Sequence, residues 1–225
     1  MHIPDGFLDT PVIVLTYAIA VAYLAVAVVR VKASSIGSEK LSLAPVLAAG
    51  IFAAQMLNWP IPGGTSLHFV GGALAGILLG PWLGSIVMFL VLLVQCLVFH
   101  DGGITALGAN TLNMAIIDVL IGYACYRAAV KMISNSRTAR LLGAFIGGWL
   151  GITIAGIACG LEIGYSSNCP YGISISVPVM GLWHAGLGVI EGIITALVVD
   201  QLRIRAGITP LAEALLLGAG GGESK

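Results

Sequence analysis

Long apolar stretches separated by short polar breaks run along the whole chain, a pattern typical of membrane-spanning helices. A helix needs about 20 predominantly apolar residues to cross a bilayer. On this basis the pattern predicts seven helices, at residues 11–29, 41–57, 67–79, 82–99, 112–130, 141–161 and 177–199. The predicted fold class is therefore all-α, a polytopic membrane protein with seven transmembrane helices.

The apolar run from Phe69 to Phe99 contains the pair Gly80-Pro81, which is a strong helix breaker. The run is too long for one helix and somewhat short for two full ones at about 20 residues each. We expect one of the two helices within it to be short or to cross only half of the membrane. Irregular backbone at that depth is tolerated where it lines a polar cavity.

Composition places the chain in the membrane independently of the helix pattern. Apolar residues make up 58% of the 225 residues and charged residues 9%, whereas soluble domains carry about 25% charged residues. The first apolar stretch is not expected to be a cleaved signal, because Asp5 and Asp9 precede it where a signal peptide has positive charge. We expect a multi-pass protein of the inner (plasma) membrane in contact with lipid. No basic stripe is available for nucleic acid.

The basic residues indicate how the helices are oriented. With seven helices, all ten lysines and arginines fall on one side: in the first loop, around the loop after the fifth helix, and after the seventh. The positive-inside rule makes that side cytoplasmic. The N-terminus is then predicted outside and the C-terminus in the cytoplasm. Residues 1–206 are predicted to form one membrane domain that includes the N-terminal segment 1–10, and residues 207–225 a short cytoplasmic tail.

The first two residues, Met1 and His2, place three nitrogens side by side: the terminal amine, the backbone amide of His2 and its imidazole. If the amide gives up its proton, the three nitrogens can close two fused chelate rings around one ion. Planar all-nitrogen sites suit Ni(II) or Cu(II). The alternative is an unstructured end, which is the usual state of a chain terminus.

A second histidine, His68, ends the predicted outer loop at residues 58–68. Three nitrogens from the terminus leave one position of a square plane empty, and a neutral imidazole is a suitable fourth donor. The alternative for His68 taken alone is a loop histidine in contact with water. Neither histidine by itself distinguishes these cases.

Taken together, the segment Met1-His2-Ile3-Pro4-Asp5-Gly6 and the loop Pro-Gly-Gly-Thr-Ser-x-His from Pro62 to His68 resemble the CbiM/NikM family over essentially the whole chain. That family is the substrate-binding component of energy-coupling-factor cobalt and nickel transporters. The resemblance implies metal ligation by the amine of Met1, the amide and imidazole of His2, and the imidazole of His68. It implies no prosthetic group, because Ni(II) or Co(II) is the transported substrate.

The resemblance also implies partners: a transmembrane coupling subunit and ATPase subunits, with a small additional membrane subunit left open. The chain itself has no GxxxxGK[ST] nucleotide-binding loop. It is not expected to be an enzyme. The residues do not decide between nickel and cobalt, and Cu(II) satisfies the same donors.

A second hypothesis of a different class is an integral membrane metalloenzyme with zinc bound by His100, His184 and Glu191. His184 and Glu191 lie two turns apart on the last predicted helix. Ionisable residues inside a membrane usually face the bundle interior, where they have either a structural or a transport role. Pairing of Cys159 with Cys169 near the outer face is also left open.

Overall fold

The computed structural model describes residues 1–34, 36–133 and 135–216. These residues form α-helices and one very small sheet. The helices are α1 (Thr10–Ala33), α2 (Ser38–Gln55), α3 (Gly72–Val98), α4 (Leu107–Asn110), α5 (Asp118–Met132), α6 (Arg137–Tyr165), α7 (Ile173–Ala206) and α8 (Leu211–Ala214). A π-helical section, Thr111–Ile117, joins α4 to α5, so that Leu107–Met132 is one continuous helix.

Within the described part of the chain, five helices are long and apolar enough to cross a membrane: α1, α3, the continuous helix Leu107–Met132, α6 and α7. The chain is therefore a multi-pass membrane protein, as its composition predicts. The 18-residue α2 does not belong to this group and carries Glu39 in its first turn. The count of seven transmembrane helices and the orientation of the two termini stay predictions.

The helix α3 is broken at Gly80, whose backbone is not helical (φ 78°, ψ 172°), and Pro81 follows it. Residues on the two sides of the break pack against each other: a Cβ added at Gly84 would lie 2.8 Å from the backbone oxygen of Ala75. In a continuous helix these residues would be about 13 Å apart at 1.5 Å rise per residue. The helix thus folds back as a hairpin, with a short first arm at 72–79 and a longer second arm at 81–98. The predicted break is confirmed.

The predicted helix start at residue 67 is wrong, because α3 begins at Gly72. Ser66–Leu67 instead forms the short strand β2, which pairs antiparallel with β1 (Trp59–Pro60). Gly71, in the left-handed region at φ 77°, then turns the chain into α3. This pair of strands is also a departure from the purely helical fold that the sequence predicts.

The C-terminal part that the structure describes packs against the end of the bundle where the basic residues lie. Glu213 is fully buried and forms a salt bridge of 2.8 Å with Arg203. Lys40 of α2 donates to the backbone oxygen of Thr209 at 2.5 Å. A Cβ added at Gly80 would lie 2.7 Å from Leu211, which places this segment beneath the turn of the α3 hairpin. Residues 217–225 of the predicted tail lie outside the described residues.

Glycines allow α6 and α7 to pack closely along most of their length. A Cβ added at Gly148 would lie 3.0 Å from the Cα of Gly192, and one at Gly160 would lie 2.8 Å from the backbone oxygen of Ser176. Small residues at a helix interface let the backbones approach, as is common in membrane bundles. The two helices bring the interior residues of α7 towards the N-terminal segment and the loop before α3.

Candidate metal site

The first three residues of the N-terminal segment are buried inside the protein. Met1 and Ile3 are fully buried and His2 is 5% exposed. Ile3 is held by a reciprocal pair of hydrogen bonds: its N–H donates to Asn110 Oδ1 at 2.8 Å and its carbonyl accepts from Asn110 Nδ2 at 3.2 Å. The same carbonyl accepts from Gly103 N at 2.8 Å. The segment is therefore docked like a short strand, and the unstructured alternative is wrong.

Both backbone nitrogens of the predicted chelate point at Ser66. The amine of Met1 donates to the Ser66 carbonyl oxygen and, at 2.7 Å, to Ser66 Oγ. The amide of His2 donates to the same Oγ at 3.1 Å. Two adjacent nitrogens that share one acceptor have the convergent arrangement that a chelate requires. Ser66, in β2, was not predicted as a site residue.

The structure places His68 against His2. Their rings are stacked, with centroids 4.5 Å apart and an angle of 21° between the planes. His68 is fully buried. Its Nδ1–H donates to the Phe69 carbonyl at 2.7 Å, and its Nε2 has no hydrogen-bond partner among the described residues. Metal-binding histidines commonly donate their second ring N–H to a carbonyl in this way, which leaves the other nitrogen free for the ion.

Asp101 faces the other nitrogen of His2. Its Oδ2 lies 3.6 Å from His2 Nε2, and Asn58 Nδ2 donates to its Oδ1 at 3.1 Å. The distance of 3.6 Å to His2 Nε2 is longer than a hydrogen bond, so the carboxylate lies beside the ring without bonding to it. In the chelate, Nδ1 of His2 closes the ring with the amide nitrogen, so Nε2 is the nitrogen left to face Asp101. The sequence shows His100-Asp101 only as an outer-loop pair.

Gly102 makes room for His2 beside this carboxylate. Its φ of 92° lies in the left-handed region, and a Cβ at this position would lie 3.3 Å from His2 Nδ1. A side chain here would therefore be strained and crowded against the ring nitrogen that closes the chelate.

Burial keeps the donor nitrogens uncharged. Desolvation lowers the pKa of the Met1 amine from 8.0 to about 5, and lowers the pKa of His2 from 6.5 to about 3, with the nearby amine adding to the effect. The pKa of His68 lies well below its ordinary value, mainly through burial and then through the amine and His2. A metal ligand must be deprotonated to bind, and at neutral pH these three groups are.

Sulfur atoms lie on the inner side of the segment. Cys159 Sγ is 3.7 Å from the Met1 carbonyl oxygen, and Met180 Sδ accepts from Thr65 N at 3.5 Å. All four cysteines are free thiols, so the structure does not pair Cys159 with Cys169.

The residues of the zinc-enzyme hypothesis do not come together as a metal site. His100 is exposed and has a φ of 55°. Glu191 accepts from the backbone N–H groups of Val70 and Gly71, and His184 Nδ1 donates to the Met180 carbonyl. Within the described ranges no three His, Cys, Asp or Glu side chains are grouped to hold a metal ion. The Met1–His2–His68 set needs only two such side chains, because its other donors are backbone nitrogens.

Comparison with known proteins gives the family. Residues 2–207 match the cobalt uptake substrate-specific transmembrane region, CbiM. The chain belongs to the CbiM family. This confirms the predicted resemblance, and the match leaves out only Met1 and the last 18 residues.

Two proteins that are similar to this chain are named as transport proteins. A protein of Archaeoglobus fulgidus named as a fused nickel transport protein, NikMN, is 55% identical over 202 residues, which are 90% of this chain and 65% of the relative. The chain thus spans about two thirds of that relative. A cobalt transport protein CbiM of Thermosediminibacter oceani is 31% identical over 92% of this chain and 86% of its own.

A solved structure shares the fold. The crystal structure of a truncated transition metal transporter is 37% identical and superposes with a TM-score of 0.83, over 90% of this chain and 98% of the solved one. The two relatives and the solved structure named above all bear transport names, which agrees with the prediction that the chain is not an enzyme.

Proposed function

We propose that this chain captures Ni(II) or Co(II) from outside the cell, as the substrate-binding component of an ATP-driven energy-coupling-factor transporter. The observation that carries the proposal is the convergence of four nitrogens in one buried place. The Met1 amine and His2 amide share Ser66 Oγ as acceptor, and the rings of His2 and His68 are stacked beside them. The names of the relatives agree with nickel or cobalt as substrate.

Capture then proceeds by exchange of partners at the two backbone nitrogens. The amine gives up its hydrogen bonds to Ser66 and turns its lone pair to the ion, and the amide proton of His2 is released to solvent. His2 Nδ1 closes the second chelate ring, and His68 supplies Nε2 as the fourth donor. Because the two rings are stacked in the structure, one of them must swing out of the stack to share a plane with the ion.

Four nitrogens in a plane favour low-spin Ni(II), and Cu(II) satisfies the same donors with higher intrinsic affinity. Exclusion of copper therefore rests on its low availability rather than on the site. Energised release into the cytoplasm requires a transmembrane coupling subunit and ATPase subunits, since the chain has no nucleotide-binding loop.

Uptake of radioactive nickel and cobalt tests the proposal, in cells that express the chain with and without the partner subunits. We expect uptake only with the partners, and its loss on His2→Ala. His100→Ala is the matched control, because this histidine is exposed, and it should transport normally. Uptake by the His2→Ala variant at the wild-type level would contradict the proposal.

A further inference from the structure

The turn between His68 and α3 is held by a carboxylate from the far end of the chain. Glu191 of α7 accepts from Val70 N at 2.9 Å through Oε2 and from Gly71 N at 2.7 Å through Oε1. Glu191 is 3% exposed and Val70 is fully buried. Hydrogen bonds are stronger at the low dielectric of a protein interior than in water. The two bonds therefore fix the backbone of this turn against α7.

The peptide group between Phe69 and Val70 connects Glu191 to the ring of His68. Its carbonyl, on Phe69, accepts from His68 Nδ1 at 2.7 Å. Its N–H, on Val70, donates to Glu191. The chain of bonds thus runs from the imidazole through one rigid peptide plane to the carboxylate. Hydrogen bonds linked in this way polarise and strengthen each other.

We infer that Glu191 is a positioning residue for His68: it sets the orientation of the imidazole and keeps Nε2 free as the fourth donor. This inference rests on the proposed function, in which His68 binds the ion. The peptide group between Phe69 and Val70 can fix the His68 ring only if its own position is fixed. In the next peptide group, between Val70 and Gly71, Gln55 Nε2 donates to the Val70 carbonyl at 2.6 Å, so that both α2 and α7 hold the turn.

Glu191 bonds two N–H groups that precede α3 rather than those of its first turn. A helix N-terminus favours negative charge, but Asp118 of α5 also lies at this end. A Cβ added at Gly72, the first residue of α3, would be 2.5 Å from Asp118 Oδ2. A variant that removes one carboxylate oxygen of Glu191 thus still leaves the Asp118 side chain at the helix end. This makes Glu191→Gln suitable as a test in a protein that still folds.

The test measures Ni(II) affinity and the visible absorption of bound nickel in Glu191→Gln, in His68→Ala and in the double variant. A glutamine offers one acceptor oxygen in place of two, so one N–H of the turn loses its partner. We expect Glu191→Gln to weaken binding about tenfold, as loss of an outer-shell partner commonly does. We also expect its absorption to shift towards that of His68→Ala. In the His68→Ala background the second substitution should have no further effect, because residues that act through one another are not additive.

A purely structural role for Glu191 would give a different result. In that case Glu191→Gln would lower the melting temperature but leave the nickel absorption of the folded protein unchanged, or its effect on affinity would add fully to the effect of His68→Ala. Either outcome would overturn the inference. Glu213→Gln is the matched control, since Glu213 is equally buried and lies at the other end of the bundle. It should change stability without changing the absorption. Failure of the wild-type protein to bind nickel would instead count against the proposed function.

Discussion

At the scale of single residues, the donor nitrogens depend on burial for their chemistry. A free terminal amine in water is protonated at neutral pH, and an exposed histidine is partly so. Here the amine of Met1 and the ring of His2 lie in the interior, and burial lowers the pKa of each. Burial thus removes the competition between protons and the metal ion before the ion arrives.

The pH dependence of binding follows from these pKa directions. Above about pH 6 the amine (pKa about 5) and His2 (pKa about 3) carry no proton to displace, so only the amide proton of His2 is released. We expect affinity to rise about tenfold per pH unit between about pH 6 and pH 8, and more steeply below about pH 5, where the amine is protonated. Calorimetry in buffers of different ionisation enthalpy measures the number of protons released when the metal binds. A flat affinity across this range would contradict an amide donor.

The roles of the two histidines are expected to separate on substitution. His68→Ala leaves a three-nitrogen chelate with water in the open position, so we expect weak metal binding with loss of uptake. His2→Ala removes the imidazole that closes the second chelate ring, so both should be lost. Calorimetry of the purified variants and uptake of radioactive nickel check the two effects. Normal uptake by His68→Ala would mean that the fourth ligand lies elsewhere.

Only part of this site could be predicted from the sequence. Met1, His2 and His68 could be proposed because the covalent geometry of the terminus and the resemblance both indicate them. Ser66 and Asp101 could not be, since each gains its role from a contact with His2 across 64 or more residues of chain. A serine in a loop or an aspartate beside an exposed histidine gives no signal of such a contact.

At the scale of elements, the site depends on docking of the N-terminal segment against α4. Asn110 is 2% exposed and its amide pairs with both backbone groups of Ile3. The Asn110 amide bonds both the N–H and the C=O of one residue, as a neighbouring strand would do. This contact, with Gly103, holds the third residue of the chain and so positions the first two.

Removal of this pair should release the segment. In Asn110→Ala the buried N–H of Ile3 loses its partner, at a cost of about 1–3 kcal/mol. We expect faster hydrogen exchange in a peptide covering residues 1–8 and weaker nickel binding. Asn135→Ala is the control, because Asn135 is exposed and bonds only Arg140 among the contacts described for its side chain. Unchanged exchange in Asn110→Ala would show that other contacts dock the segment.

The elements themselves were predicted unevenly. The break at Gly80-Pro81 is confirmed because a glycine with positive φ followed by proline interrupts any helix. The strands β1 and β2 were missed because two residues each are too few to show an alternating pattern. The start of α3 was missed with them, since Leu67 and Phe69 belong to the apolar run and nothing in the run marks the turn at Gly71.

At the scale of the whole molecule, the charge distribution and the site predict the direction of transport. Basic residues lie at helix termini on the side of the bundle opposite the metal site. Arg30 and Lys32 are in the last turn of α1, and Arg203 and Arg205 are in the last turn of α7. With the positive-inside rule this predicts that the N-terminal segment and His68 lie on the outer side, where the ion would be captured.

Labelling of single cysteines with a membrane-impermeant reagent tests this orientation. In a background without the four native cysteines, we expect Tyr165→Cys to react in intact cells and Met132→Cys to react only after lysis. Both positions are exposed, at 71% and 82%, so accessibility is matched. The reverse pattern would invert the topology.

The central claim is that the free terminal amine of Met1 is a metal ligand, and one insertion tests it most directly. One glycine inserted between Met1 and His2 adds a second amide to the chelate and displaces an amine that is fully buried against Ser66. The measurement is the affinity and visible absorption of Ni(II) in the purified variant beside the wild type. We predict altered absorption, weaker or rearranged binding, and loss of uptake. Binding and uptake at the wild-type level would contradict the terminal chelate.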